Sequence, residues 1–339
     1  MKIRGTKATH ILLSALTASV ITAFGMVAAS PASAANSTGS SVAGDTFALV
    51  NGDNADPFFL TIWKGALAEA NKYHVHLVEV APTTFDYTTQ LPLLYDEIAK
   101  KVNGIILSPD GDTQLDPGLA KAHAAGIPVV LVNSDSTFNS NPNKIGAFTS
   151  NQLLLGQLAA KAMGSLIHGR GTVAVINSVA GALGDEQRGS AFIATMHKYF
   201  PHVRTLPEQY DLDSRTTAAG LANDFMEAYP NLTGIYGVDS FTGQGVGTAI
   251  KDDHKVGKVK LVAIDAEPQE VALLREGVAQ ALIAQQPYGM GTGAVQALVE
   301  YLTGHKNLVK NSVILPPIEV TPQNINTPAM QKVIYASKP

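Results

Sequence analysis

The chain of 339 residues carries 24 Lys and Arg against 28 Asp and Glu, a formal net charge of -4, with 45% hydrophobic residues and no cysteine. The missing cysteine rules out a disulfide framework and the residue on which a lipid anchor is built. The acidic balance, with no basic stripe to offset it, argues against nucleic acid and anionic lipid surfaces as partners.

Residues 1–34 hold Lys2, Arg4 and Lys7, then an apolar stretch over 11–29, then Ala32-Ser33-Ala34. This is the pattern of a cleavable secretory signal peptide, and Ser14, Thr17, Ser19 and Thr22 weaken the competing reading as a membrane anchor. The mature product is expected to be soluble, periplasmic or secreted, and without a lipid anchor. Residues 35–44 form a Ser/Thr/Gly segment with too little apolar content to fold, expected as a disordered linker.

Beyond it, apolar runs of strand length over 46–50, 75–80, 104–107, 128–132 and 145–148 alternate with amphipathic segments near 59–72, 87–101 and 113–125. Continuous Val/Ile/Leu runs of this kind are buried on both faces, which predicts a parallel sheet covered by helices. The pattern then restarts with strands over 172–177, 203–210, 234–238, 260–264 and 279–284. The fold class is therefore α/β, with two doubly wound parallel-sheet lobes.

In open parallel sheets the ligand sits at the carboxyl ends of the strands. The polar clusters fall at such ends: residues 51–56, 108–112, 133–136 and 178–188, Asp239 with Ser240, and 265–267. Two lobes with these loops turned inward enclose one cleft. The run Asp56-Pro57-Phe58-Phe59 is the most pointed of them, because paired aromatics at a helix start offer an apolar platform to the face of a sugar ring. Two consecutive phenylalanines cannot both face the core of one amphipathic helix, so at least one is expected to meet the ligand.

Over nearly its whole mature length the chain resembles the periplasmic sugar-binding proteins of bacterial ABC importers, the ribose- and galactose-binding kind with a type I periplasmic binding protein fold. Asp56-Pro57-Phe58-Phe59 stands where that family has Asn-Pro-Phe-Phe, and Ser108-Pro109-Asp110 where it has Asn-Pro-Thr-Asp. Asn133-Ser134-Asp135 replaces an Asp-Arg pair, and Glu186, ahead of Arg188-Gly189, takes the place of a second ligand arginine. Asp239-Ser240, Ala263-Ile264-Asp265 and Ala284-Gln285-Gln286-Pro287 match the remaining motifs, and Asp213 falls near an aromatic contact of the ribose type.

The resemblance implies a three-segment hinge, with crossings near 149–151, 285–288 and 314–317. The N-terminal lobe would comprise 45–149 plus 286–314, and the C-terminal lobe 150–285 plus 315–339. It also implies ligand contacts from Asp56, Phe58, Phe59, Asp110, Asn133, Asp135, Glu186, Asp213, Asp239, Asp265 and Gln285, a monomer, and delivery to an ABC permease and its ATPase. A family that signals to chemoreceptors or histidine kinases as well leaves sensing open as the alternative.

Carboxylates accept hydrogen bonds from sugar hydroxyls, and a pocket read as acidic and free of arginine should reject phosphorylated or carboxylated sugars. A neutral sugar or polyol is expected, with an amine-bearing ligand as the variant. No cofactor or metal is expected: His74 and His76 lack further ligands, and the glycine series at Gly243, Gly245 and Gly247 lacks the dinucleotide spacing. No catalytic constellation is defensible from spacing, so the chain is not read as an enzyme. A repressor of related fold would need an N-terminal helix-turn-helix, which the signal peptide replaces.

Overall fold

The computed structural model describes residues 40–111, 113–135 and 141–335. The expected signal peptide and the start of the expected linker lie outside the described residues, as do Asp112 and Ser136. The end of the linker segment does not stay free. Val42 is buried in the core and the Ser40 hydroxyl donates to Leu302 O at 2.7 Å, because even one valine gains by leaving water where a groove receives it.

The chain begins with β1 (Thr46–Val50), α1 (Pro57–Lys72), β2 (His76–Val80), α2 (Tyr87–Ala99), β3 (Gly104–Leu107), α3 (Asp116–Ala124), β4 (Val129–Asn133) and β5 (Gly146–Ser150). It continues with α4 (Gln152–Leu166), β6 (Gly171–Asn177), α5 (Leu183–Tyr199), β7 (Val203–Thr205), β8 (Gln209–Tyr210), α6 (Arg215–Ala228) and β9 (Leu232–Gly237). Then follow α7 (Ser240–Asp252), β10 (Lys260–Ile264), α8 (Pro268–Arg275), β11 (Ala279–Ala284), α9 (Pro287–Leu302), β12 (Val313–Leu315), β13 (Ile318–Val320) and the short α10 (Pro328–Gln331).

The first sheet runs β12-β5-β4-β3-β1-β2 and every pair in it is parallel. The second runs β13-β11-β10-β9-β6-β7 with β8 also on β6, and only β13 is antiparallel. The chain passes from one sheet's lobe to the other after β5, back after β11, and again between β12 and β13, so the two lobes share three connections. Strands β3 and β4 are buried almost throughout, as their apolar runs predict, whereas β2 is a sheet edge and leaves Val78 exposed. The single strand expected over 203–210 divides into β7 and β8, because Pro207 has no N–H to give the ladder.

Two glycines set how closely the second lobe's helices pack. A Cβ on Gly156 of α4 would stand 2.1 Å from the carbonyl oxygen of Arg188 on α5, and one on Gly245 of α7 would stand 2.3 Å from that of Arg215 on α6. Both close approaches seat an arginine-bearing helix start against its neighbour.

Candidate functional site

The loops at the carboxyl ends of both sheets line one cleft of about 740 Å³. On the first lobe it begins with α1. Asp56 caps that helix, its Oδ1 accepting from Phe58 N at 2.7 Å, and Pro57 occupies the first turn, where its missing N–H costs nothing. The helix thus starts two residues before the expected position, and Phe58 and Phe59 both lie in its first turn. Both are buried, contrary to the expectation that only one could be. The reason is that the first turn is covered from two directions. Phe58 meets Phe59 edge-on at 5.3 Å and Tyr335 at 5.8 Å, while Phe59 lies nearly parallel to Phe85 at 6.1 Å.

Gln90, fully buried on α2, organises the loops after β1 and β3. Its amide nitrogen donates to Asn51 O at 2.9 Å and Ser108 O at 2.6 Å, and its oxygen accepts from Asp110 N at 3.0 Å. Asp110 is held by Asp86 N at 3.2 Å through Oδ2, but its buried Oδ1 has no partner. Burial, aided by Asp53 and Asp86, pushes the Asp110 carboxyl up to about 9.

On the second lobe, Arg188 is buried at the start of α5. It pairs with Asp185 at 3.0 Å, donates through Nε to Gln152 Oε1 at 2.6 Å and through Nη1 to Val238 O at 3.3 Å. Arg215 lies over the Phe241 ring, 3.5 Å from its centroid, and donates to Gln244 Oε1 at 2.5 Å. Asp239 caps α7 through Thr242 N at 2.8 Å. Asp265 accepts from Gln285 Nε2 at 2.8 Å and from the Tyr335 hydroxyl at 2.7 Å, and the same hydroxyl accepts from Gln285 N at 2.9 Å.

The electrostatics are dominated by desolvated carboxyls. Burial and the nearby Asp185, Asp211 and Asp53 raise Asp213 to about 6, with Arg215 opposing. Burial first, then Asp185, Asp213 and Asp211, hold Asp239 well above its usual range. Asp265 is also raised by burial, with Arg188, Gln285 and Tyr335 restraining the shift. Four non-glycine lining residues have left-handed backbone: Asn133 (φ 66°), Leu212 (φ 59°), Asp213 (φ 58°) and Asp265 (φ 85°). Asn and Asp tolerate that region better than others, while Leu212 is a strained exception on the rim of the kind functional loops retain.

A family model described as periplasmic binding protein domain matches residues 47–306. The chain belongs to the periplasmic binding protein domain family. Among its relatives, the D-allose-binding periplasmic protein of Escherichia coli (strain K12) is 27% identical over 271 residues, covering 77% of this chain and 86% of that one. The ribose import binding protein RbsB of Bacillus subtilis (strain 168) is 22% identical, covering 74% of this chain and 79% of the relative. An ABC transporter solute binding protein from Agrobacterium vitis, solved with bound alpha-D-tagatopyranose, superposes with a TM-score of 0.80 at 28% identity, covering 86% of this chain and 99% of that one. Another from the same organism, with bound D-fucose, gives 0.79 at 27% identity, covering 86% and 100%. As a member of this family the protein is a binding component of transport and not an enzyme.

Of the site residues expected in this binding protein, Asp56, Phe58, Phe59, Asp110, Asn133, Asp213, Asp239, Asp265 and Gln285 all line the cleft. Two stand elsewhere. Asp135 turns to the fully buried Lys144 ammonium, which needs a counter-charge more than the cleft does. Glu186 accepts from Gly181 N at 3.0 Å and Tyr210 Oη at 3.1 Å, and so supports a cleft loop from behind.

The expectation of a pocket without arginine is corrected: Arg188 and Arg215 both line it. The motif count led to Glu186, yet the local signal was Asp185 and Arg188 three apart on one helix turn, which makes them neighbours. Asp53, Gln152 and Phe241 were also missed, although each adjoins a strand end or crossing already singled out. Phe85 sits at the carboxyl end of β2, where strand-end reasoning alone would have found it.

Proposed function

We propose that this protein is the extracytoplasmic receptor of an ABC importer, closing two lobes on a neutral sugar or polyol and delivering it to the membrane permease and its ATPase. The carrying observation is the division of the cleft: aromatic rings of Phe58, Phe59 and Phe85 on one wall, acceptor carboxylates of Asp213, Asp239 and Asp265 on the other. Aromatic faces cover the C–H side of a pyranose or furanose ring while carboxylates accept its hydroxyl hydrogens. Closure excludes water, so each polar bond strengthens as the lobes meet.

Two arginines do not turn the cleft toward anions. Arg188 is matched by Asp185, and Arg215 lies beside Asp213 and over Phe241, so a phosphate or carboxylate would meet more acid than base. The buried oxygens Asp110 Oδ1 and Gln285 Oε1, both without partners, await sugar hydroxyls in this reading, the protonated Asp110 as a donor and Gln285 as an acceptor. Export by the signal peptide, action as a monomer and delivery to a permease complete the proposal.

The test is a thermal-shift screen of the mature chain, confirmed by calorimetry, with D-allose, D-ribose, D-tagatose, D-fucose, D-arabinose and xylitol. Glucuronate, glucose 6-phosphate and glucosamine serve as charged counterparts. A ligand bound only by the folded form raises Tm by linkage. Stabilisation by one or more neutral compounds is expected. Selective stabilisation by the anions would overturn the neutral reading, and by glucosamine would replace it with an amino sugar.

A further inference from the structure

The two ends of the cleft differ in kind. The lobes are joined after β5, after β11 and between β12 and β13, so the connections lie at one edge of each sheet. β2 lies at the opposite edge of the first sheet, and β7 and β8, both on β6, at that of the second. The loops after β2 and β8 therefore stand at the end of the cleft far from the connections. The near end holds Asp265 and Gln285, buried and bonded to each other. Toward the far end, four large apolar side chains line the cleft yet stay open to solvent. Phe85 and Tyr87 come from one lobe, 44% and 39% exposed, and Val179 and Leu212 from the other, 41% and 71% exposed.

Their loops hold these side chains in place. Asp86, between Phe85 and Tyr87, donates its N–H to Asp110 Oδ2 at 3.2 Å and caps α2 by accepting from Thr88 N at 2.8 Å. The Phe85 ring, nearly parallel to Phe59 at 6.1 Å, carries the aromatic wall from the buried interior out to solvent. Across the cleft, Leu212 N donates to Ser178 O at 2.9 Å, which sets Leu212 beside the loop that bears Val179. Asp213 N donates to Asp211 Oδ1 at 2.9 Å, and Asp211 Oδ2 accepts from the Thr242 hydroxyl at 2.6 Å, so the left-handed turn at Leu212 and Asp213 is pinned to α7. A leucine in left-handed backbone is strained, and one so exposed recovers little by burial. The turn holds an apolar side chain out at the cleft at a cost that the fold alone does not offset.

We propose that the far end of the cleft is an apolar outer subsite, with Phe85 and Tyr87 on one lip and Val179 and Leu212 on the other, and that the cargo is a glycoside whose aryl or alkyl aglycone it covers. The sugar ring lies inward, against Phe59 and the unpartnered Gln285 Oε1, with its substituent pointing away from the connections. A free monosaccharide leaves the four outer side chains in water, whereas an aglycone takes apolar surface out of water on both partners. The cleft volume of about 740 Å³ lies in the range that encloses ligands larger than one sugar ring. Apolar side chains gathered at the rim of a groove are a mark of ligand sites.

The sugar half of this ligand rests on the reading above and the apolar half does not, so each has its own readout. The mature chain is titrated with N-phenylnaphthylamine, an uncharged aromatic dye whose fluorescence rises on leaving water. Calorimetry follows with the free, methyl and p-nitrophenyl forms of D-fucose, D-ribose and D-arabinose. Leu212→Asn and Val179→Ser are run alongside. Asn suits left-handed backbone, so the first variant keeps the turn and removes only the apolar side chain. The dye is expected to bind the wild type and to weaken about fivefold or more in each variant. The p-nitrophenyl form of a sugar that binds is expected to exceed its methyl form by about tenfold or more, with a more negative heat-capacity change, and the ratio to fall toward unity in Leu212→Asn. The Tm of Leu212→Asn should equal or exceed that of the wild type, because a strained and exposed residue has been removed. Dye titrations unchanged in both variants, or equal affinity for methyl and p-nitrophenyl forms, would overturn the outer subsite. A dye response lost in the variants while no sugar form binds would overturn the sugar reading and leave the apolar site standing.

Discussion

The two walls of the cleft solve different problems. The first-lobe wall centres on rings, with Phe59 in contact with both Phe58 and Phe85, beside the carboxyls of Asp53, Asp56 and Asp110, the last with one unpartnered oxygen. The second-lobe wall is built from charges, with Asp185, Asp213, Asp239 and Asp265 arranged around Arg188 and Arg215. A ring face gains by excluding water whatever its partner, whereas a buried carboxylate is costly until it accepts a hydrogen. For the proposed sugar, the apolar wall gains from contact before closure, whereas the charged wall gains only once hydroxyls reach its carboxyls.

Breaking the apolar wall should have the largest effect. Phe59→Ala empties a buried site between the edge-on Phe58 and the stacked Phe85 and should cost about 3–5 kcal/mol, read in urea unfolding, together with most of the affinity for the sugar the screen identifies. On the charged wall, Arg188→Met leaves Asp185 without its ion pair and should cost about 3 kcal/mol. Equal or greater stability for Arg188→Met would mean that the pair is retained for binding alone.

A titration sharpens the contrast. Asp110, pushed up to about 9 chiefly by burial, is protonated in the folded protein and ionised in the unfolded chain over the intervening range. Its contribution is therefore present below about pH 4 and lost as pH rises toward the folded value. Asp110→Asn should flatten that part of the pH dependence of the urea midpoint. Tyr335→Phe removes a hydroxyl that serves Asp265 and Gln285 together and should cost about 1–3 kcal/mol with a modest loss of affinity. The smallest change is expected for Glu186→Gln: under about 1 kcal/mol in stability, with affinity unchanged in calorimetry, since this side chain stands behind the cleft wall.

Much of the architecture was legible because its signals are local. The Val/Ile runs of β3, β4 and β6 and the restart of the pattern after β5 depend on neighbours in the chain, and both sheets follow from them. Failures occurred where a distant segment decides the outcome. Nothing near Phe58 reveals that Tyr335 covers it, and nothing near Asp135 shows that Lys144 returns to claim it. Pro207, by contrast, is a local sign that the 203–210 run divides. The family motifs mark nine cleft residues, but they place the lost arginine at Glu186, while Arg188, two residues on, lines the cleft.

The last two strands of the chain carry a consequence for biosynthesis. β12 completes the edge of the first sheet and β13 the edge of the second, so neither sheet is whole until the final tenth or so of the polypeptide is available. The pairing of β12 with β5 spans most of the second lobe in sequence, and pairings of such long separation form late and slowly. A nascent chain made from its N-terminus therefore lacks one strand of each sheet until its last segment has been synthesised. The topology that joins the two lobes by three crossings also delays completion of the fold until nearly the whole chain has arrived.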